Sequence, residues 1–433
     1  MKLWQKENTH TAALTEKFTV GKDREFDLLL AAYDVQGSLA HTEMLSQVGL
    51  LNIDEKELIH AELKCILETI EAGQFIIEDD VEDVHSQIEL MLTRTIGEAG
   101  KKIHSGRSRN DQVAVDIKLF LKQGILEIKD ATKELFDCLI SLSELHKDKL
   151  LPGYTHMQIA MPSSFGLWFG AYAESLADDM DLLATAYNMA NKNPLGSGAG
   201  YGSSLPINRS VTTQLLQFGD MHYNVVYAQM SRGKTEKLVA IGIAGIAATL
   251  SKMAMDICLF MNQNHDFIHF PDALTTGSSI MPHKKNPDIF ELVRGKCNRL
   301  QALPNELTLL LSNLPSGYHR ELQLTKEIIF PAVETLLECI NILCFSLPQI
   351  IIKDDILSDS KYQYVFTVEA VNNLVNKGIP FRKAYRQIGK QVEDGIFQFS
   401  DFDINSHTHE GSMGNLCNKQ IEENLNKVLR KFI

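Results

Sequence analysis

From Asn110 onward the sequence keeps one apolar stripe, Val113, Ile117, Leu121, Ile125, Ile128, Leu135, Leu139 and Leu142, spaced as an α-helix repeats. That spacing returns side chains to one side of a helix, whereas a strand alternates its faces every second residue. Carried to about Lys149, the run spans roughly 60 Å at ~1.5 Å per residue. This exceeds the breadth of an ordinary compact domain. Comparable stretches run from Pro162 to about Asn191, Thr235 to about Gln263, Pro287 to about Asn313 and Glu321 to about Leu347, while strand-like alternation is scarce. The pattern predicts an all-α fold with a long central helix bundle. So much apolar stripe is hard for one chain to cover, so self-association is expected.

Smaller helical domains flank the bundle. Residues 1–105 read as an N-terminal domain with helices over Glu25–Val48, Asp54–Ala72 and Val81–Ile96, punctuated by Gly49, Gly73 and Gly97. Residues 106–352 hold the bundle, and the more polar residues 353–433 read as a C-terminal helical domain. In the third N-terminal helix Val81, Val84, Ile88 and Met91 share a side, which leaves Asp83 and His85 on the other, solvated faces.

The net charge of -13 argues against nucleic acid or a polybasic membrane surface as partner. An anionic ligand would need cations gathered locally. Met1–Glu7 lacks the apolar core of a signal peptide, and the most apolar stretch, Leu238–Leu250, is short for a membrane span and reads as a buried helix. The cysteines are scattered with no C-x-x-C, so a reduced, cytoplasmic protein without a zinc site is expected, and His407 and His409 read as solvated. Gly196–Gly202 lacks dinucleotide-loop spacing and reads as a tight or mobile connection; Gly233-Lys234-Thr235 lacks the upstream glycine of a P-loop.

Three loops leading into helices carry candidate chemistry. In Thr276–Glu291, Asn286-Pro287-Asp288 reads as a helix start, and backbone N–H groups with Lys284, Lys285 and two serines would stabilise an anion. Ser105–Gln112 puts Arg107, Arg109, Ser108 and Asn110 at the start of the first long helix. Pro152–Gln158 is a glycine-started loop carrying Thr155 and His156. Taken singly, each also fits a capped surface loop.

Taken together, they resemble a known family. Gly277-Ser278-Ser279-Ile280-Met281-Pro282-His283-Lys284-Lys285-Asn286-Pro287 resembles the signature loop of the fumarase/aspartase superfamily. Tyr33–Ser38, Glu82–His85, the Gly106, Gly153 and Ser278 loops, Gly317–Gln323 and Lys377–Arg382, in this order, resemble the argininosuccinate lyase family over most of the chain. The resemblance implies elimination of fumarate from argininosuccinate, giving arginine, with no metal or organic cofactor. It also implies a homotetramer whose sites take loops from three subunits.

Such a reaction needs a base for a weakly acidic C–H, donors for the doubly charged aci-carboxylate, and an acid for the departing nitrogen. Chemistry alone names His283 as base, because imidazole titrates near neutral pH. The resemblance instead assigns the base to Ser278, the acid or proton link to His156 held by Glu291, and charge stabilisation to Lys284 and Asn286. It also implies substrate contacts at Ser108, Arg109, Asn110, Thr155, Tyr318, Gln323 and Lys326, and at Ser38 and Asp83. The chain departs from the family pattern at Ile159 and Met161, at Gly233-Lys234 and at Val368-Glu369. These departures keep open a sister lyase acting on another N-succinyl compound, and a non-catalytic, crystallin-like homologue is the third possibility.

Overall fold

The computed structural model describes residues 13–400 and 402–432; the Met1–Glu7 segment read above lies outside them. Its N-terminal helices are α1 (Ala13–Val20), α2 (Asp23–Asp27), α3 (Ala31–Gln47), α4 (Ile53–Glu71), α5 (Val84–Ile96) and α6 (Glu98–Lys101). The long helix α7 (Arg109–Leu145) leads to the hairpin strands β1 (Leu150–Thr155) and β2 (Gln158–Ser164), then α8 (Phe165–Ala190). Next come α9 (Arg209–Leu215), α10 (Val225–Met230), α11 (Lys234–Met261), α12 (Asp288–Leu300), α13 (Leu303–Leu310) and α14 (Thr325–Ser346). The chain finishes with α15 (Thr367–Asn376), α16 (Phe381–Glu393) and α17 (Asn418–Leu429).

The bundle packs α7 on α8 and α14, and α11 on α8, α12, α13 and α14. The stripe from Ile117 to Leu142 is buried along its length. Ile421 and Leu425 of α17 join the same core. A second cluster under α3, α4 and α5 includes Leu45, Leu63 and Ile88, and a small one joins Val371, Ala384, Ile388 and Phe397. By length and composition α11 and the Arg320–Gln349 segment could each cross a membrane, with mean hydropathy 1.8. Ile243, Ile246, Leu250, Met253 and Ile257 of α11 are instead wholly buried against neighbouring helices.

Several expected elements are broken, for local reasons. Leu28–Leu30 tightens to a 3-10 turn that buries Leu30 and divides the helix expected over Glu25–Val48. The helix expected over Pro287–Asn313 stops at Leu300 and restarts at Leu303, with Pro304 in the new first turn, where its missing N–H costs nothing. Pro152–Gln158, read as a loop, lies largely in the β1–β2 hairpin, paired from Leu150↔Ser164 to Thr155↔Gln158. Its turn residues His156 and Met157 have φ of 54° and 60°, as a two-residue primed turn requires. Gly153 sits at the bulge, where a Cβ would come 2.9 Å from the Met161 carbonyl oxygen.

Candidate active site

Four segments converge on a cavity of about 410 Å³: residues 20–27, 82–86, 104–113 and 318–326, with Arg232. The start of α7 forms one wall. Ser108 adopts extended backbone and its hydroxyl accepts from the Asn110 N–H at 3.3 Å, capping the helix. Asp111 returns the contact, accepting from the Ser108 N–H at 2.7 Å, while its other oxygen accepts from Gly196 and Gly198 N–H at 2.9 and 2.8 Å. Burial pushes the Asp111 carboxyl up to about 6 against the pull of these donors, which leaves it ionised at neutral pH. The Gly196–Gly202 loop is therefore a tight turn tied to α7: its Gly196 and Gly198 N–H groups are taken by this carboxylate, and those of Gly200 and Gly202 by the Ser197 carbonyl.

The second wall is the start of α5. Asp83 caps it, accepting from the Ser86 N–H at 2.8 Å, and its other oxygen lies 3.2 Å from Arg109 Nε. Arg109 also donates to the Ser86 hydroxyl at 3.0 Å. The third wall, residues 318–326, brings in Tyr318, Arg320, Gln323 and Lys326. The Gln323 amide donates to the carbonyls of Thr19 and Val20 at 3.2 and 3.0 Å. Lys326 donates to Asp27 at 2.6 Å and pairs with Asp23. Thus Asp83, Ser108, Arg109, Asn110, Tyr318, Gln323 and Lys326 share one cavity.

One expectation from sequence is corrected here. His85, expected on a solvated face, is only 2% exposed, because α3 and α7 cover that side of α5: its Nδ1 lies 2.9 Å from Asp34 and 3.5 Å from Asp116. Ser38, a substrate contact by resemblance, lies wholly buried in α3 and accepts from Arg107 Nη2 at 3.1 Å; like Thr155, His156 and Ser278, it does not line this cavity. Asp34, His85 and Asp116 offer ligand atoms within 4.8 Å of one another, a set that could meet a cation. Arg107, buried beside both carboxylates, already brings positive charge there, while burial raises both carboxyls. The trio reads as a buried charge cluster beneath the site.

Thr155 and His156 are exposed at the tip of the hairpin, and neither lines the cavity. Nor does Ser278. Its loop is closed at the base, where Asn286 N–H donates to the Thr276 carbonyl at 2.8 Å and Thr276 N–H returns a bond at 3.3 Å. The Asn286 side chain turns back to Thr276 and Gly277, so α12 begins without the side-chain cap expected from sequence. Ser278 Oγ accepts from the N–H groups of Ile280 and Met281 at 3.3 and 3.1 Å. Lys284 and His283 are exposed, and Glu291 stands 3.8 Å from Arg294.

Asp23 and Asp27 line the cavity without having been singled out from sequence, and His85, Arg232 and Arg320 line it without having been assigned to the site. The four-residue spacing of Asp23 and Asp27 was the available signal. Of the departures from the family pattern, Ile159 and Val368 both line a groove between the hairpin and α15–α16, and neither lines the cavity. Gly233 takes a φ of 73°, and a Cβ there would lie 2.2 Å from a Leu311 methyl, so close packing accounts for this glycine.

A family model described as "Lyase" matches residues 6–302. The argininosuccinate lyase of Phocaeicola vulgatus is 56% identical over 431 residues, covering 100% of this chain and 96% of the relative. That of Thermotoga neapolitana is 39% identical over 390 residues, covering 90% of this chain and 98% of the relative. Among solved structures, EDDS lyase in complex with formate superposes with a TM-score of 0.77 at 20% identity, covering 98% of this chain and 91% of that one, a likeness of fold. With relatives this similar along its whole length, the chain belongs to the argininosuccinate lyase family of the fumarase/aspartase superfamily.

Proposed function

We propose that the protein splits argininosuccinate into arginine and fumarate by base-catalysed elimination. A C–H beside a carboxylate loses its proton only to a strong base, and a serine alkoxide is strong enough if something stabilises it. The observation that carries the assignment of Ser278 is the pair of backbone N–H donors, from Ile280 and Met281, already directed at its oxygen. Lys284 and Asn286, on the same loop, stabilise the aci-carboxylate as charge develops. His156, oriented by Glu291, delivers a proton to the departing guanidino nitrogen. The cavity receives the arginine half of the substrate, with Arg109, Asn110, Tyr318, Gln323 and Lys326 as polar contacts and Thr155 reaching in from the hairpin. Acid–base chemistry of this kind needs no metal or organic cofactor.

We read the working site as assembled from three subunits of a homotetramer in the cytoplasm. Its support is that His156 and Ser278 sit outside the cavity of their own chain, on exposed segments where Met157 and Ile280 are 70% and 82% exposed. The test follows fumarate by its ultraviolet absorbance after addition of argininosuccinate. Wild type releases fumarate, Ser278→Ala loses roughly 10³-fold in kcat, and His283→Gln stays within about threefold. Absence of fumarate from wild type sinks the function, and full activity of Ser278→Ala sinks the base. A monomer by light scattering refutes the shared site.

A further inference from the structure

We propose that a second cavity, separate from the first, binds a phosphate-type dianion, free or as the head of a monoester. This cavity, of about 390 Å³, lies between the start of α11 and the loop that follows α13. Arg232, Lys234 and Lys237 line it and no carboxylate does, in a chain whose net charge is -13. Glu236, itself 1% exposed and not part of the lining, pairs with Arg232 at 3.2 Å and offsets that charge. Lys234 donates to the neutral Tyr227 hydroxyl at 3.3 Å, and neither lysine is paired with a carboxylate among the described residues. Two positive charges thus stay uncompensated, which a dianion matches. Lys234 also stands at one of the departures from the family pattern, so this cation belongs to the chain itself.

Two buried nitrogens point to a ligand independently of the lysines. Arg232 is only 5% exposed; its Nη2 donates to the Leu322 carbonyl at 3.3 Å, while its Nη1 has no partner among the described residues. His319 Nε2, on the loop that lines the other side, is likewise buried without one. A buried donor left unmade is costly, and an oxyanion in the cavity satisfies it. The start of α11 adds to the attraction: Gly233 supplies no side-chain cap, and the first turn carries Lys234 and Lys237. Phosphate accepts from several directions at once, which suits donors arriving from α11 and from the facing loop. The two cavities share Arg232 and otherwise have different linings, so the dianion site is distinct from the one that holds Arg109 and Lys326.

Calorimetry of the intact protein with inorganic phosphate, glycerol 3-phosphate and succinate is the test. Wild type should bind both phosphoryl compounds, the tighter of the two showing whether the site takes the free ion or a monoester, and should bind succinate more weakly. Lys237→Gln should weaken phosphate about tenfold, the order of one charge-assisted contact, and Lys234→Gln with Lys237→Gln by about 100-fold or more. Lys237→Arg, which keeps the charge, should stay within about threefold. Arg109→Gln, in the first cavity, should stay within about twofold. Urea unfolding without phosphate checks that the lysine variants are folded. Phosphate affinity that survives the double substitution, or that falls with Arg109→Gln and not with Lys237→Gln, overturns the proposal. Succinate binding as tightly as phosphate, with the same dependence on Lys237, overturns the phosphoryl assignment. These readouts do not involve fumarate release, so failure here leaves the lyase reading untouched and failure of the lyase reading leaves this site untouched.

Discussion

Asp111 offers the sharpest test of how the site is held. Its carboxylate is wholly buried and accepts three backbone N–H groups, one from Ser108 and two from the Gly196–Gly202 loop. A hydrogen bond to a charged group contributes about 1.5–3 kcal/mol, and a buried donor left unmade costs about 1–3 kcal/mol. Asp111→Ala strands all three donors, and because neighbouring losses do not add fully, we expect about 4–6 kcal/mol of destabilisation. Asp111→Asn keeps one carbonyl for the two glycine amides but turns an NH₂ towards the Ser108 N–H, for about 2–3 kcal/mol. Urea unfolding at pH 8 and fixed protein concentration measures both, and hydrogen exchange locates the effect. The amides of Gly196, Gly198 and Ser108 should lose protection in either variant. Because Ser108, Arg109 and Asn110 ride on this turn, kcat/KM should fall as well. Asp111→Ala within about 1 kcal/mol of wild type, with those amides still protected, would refute the reasoning.

Two further outcomes follow from packing. Lys118 is 2% exposed in α7, donating to the Met189 carbonyl at 2.9 Å, and burial lowers its ammonium to about 7. The folded value lies below that of the unfolded chain, so the unfolded state binds more protons between about pH 7 and 10 and stability should rise across that window. Wild type should gain roughly 2–3 kcal/mol relative to Lys118→Met between pH 7 and 9.5 in urea titrations, and parallel pH profiles would contradict it. Gly153→Val sets side-chain atoms against the Met161 carbonyl, where even a Cβ would lie 2.9 Å away. A cost of about 1–3 kcal/mol with loss of activity through the displaced Thr155 and His156 is expected, and unchanged kcat would show the hairpin tip to be irrelevant.

The long rods were legible in the sequence because their cause is local. Ile117 to Leu142 repeat along one face, and Ser108 before Asp111 supplies a capping pair within one turn. Pro304 already marked a break, though the periodicity on either side masked it. The hairpin was not legible: Pro152 and Pro162 weaken a strand signal, and His156-Met157 is not the asparagine-glycine pair that usually announces such a turn. Burial of His85 and Ser38 depends on α3, α5 and α7 meeting, which no short window of sequence contains.

The candidate site divides along the same line. The sequence alone determined which side chains are offered, since Ser278, His156, Lys284 and the Arg109 turn are recognisable from their immediate neighbours. The tertiary structure decided which of them meet. It joined four distant segments around one cavity, added Asp23, Asp27 and His85, and left Ser38, the hairpin tip and the Ser278 loop outside it. The physical reason is range: helix periodicity and capping act within a few residues, whereas burial and charge pairing act between elements whose separation along the chain carries no record of their contact.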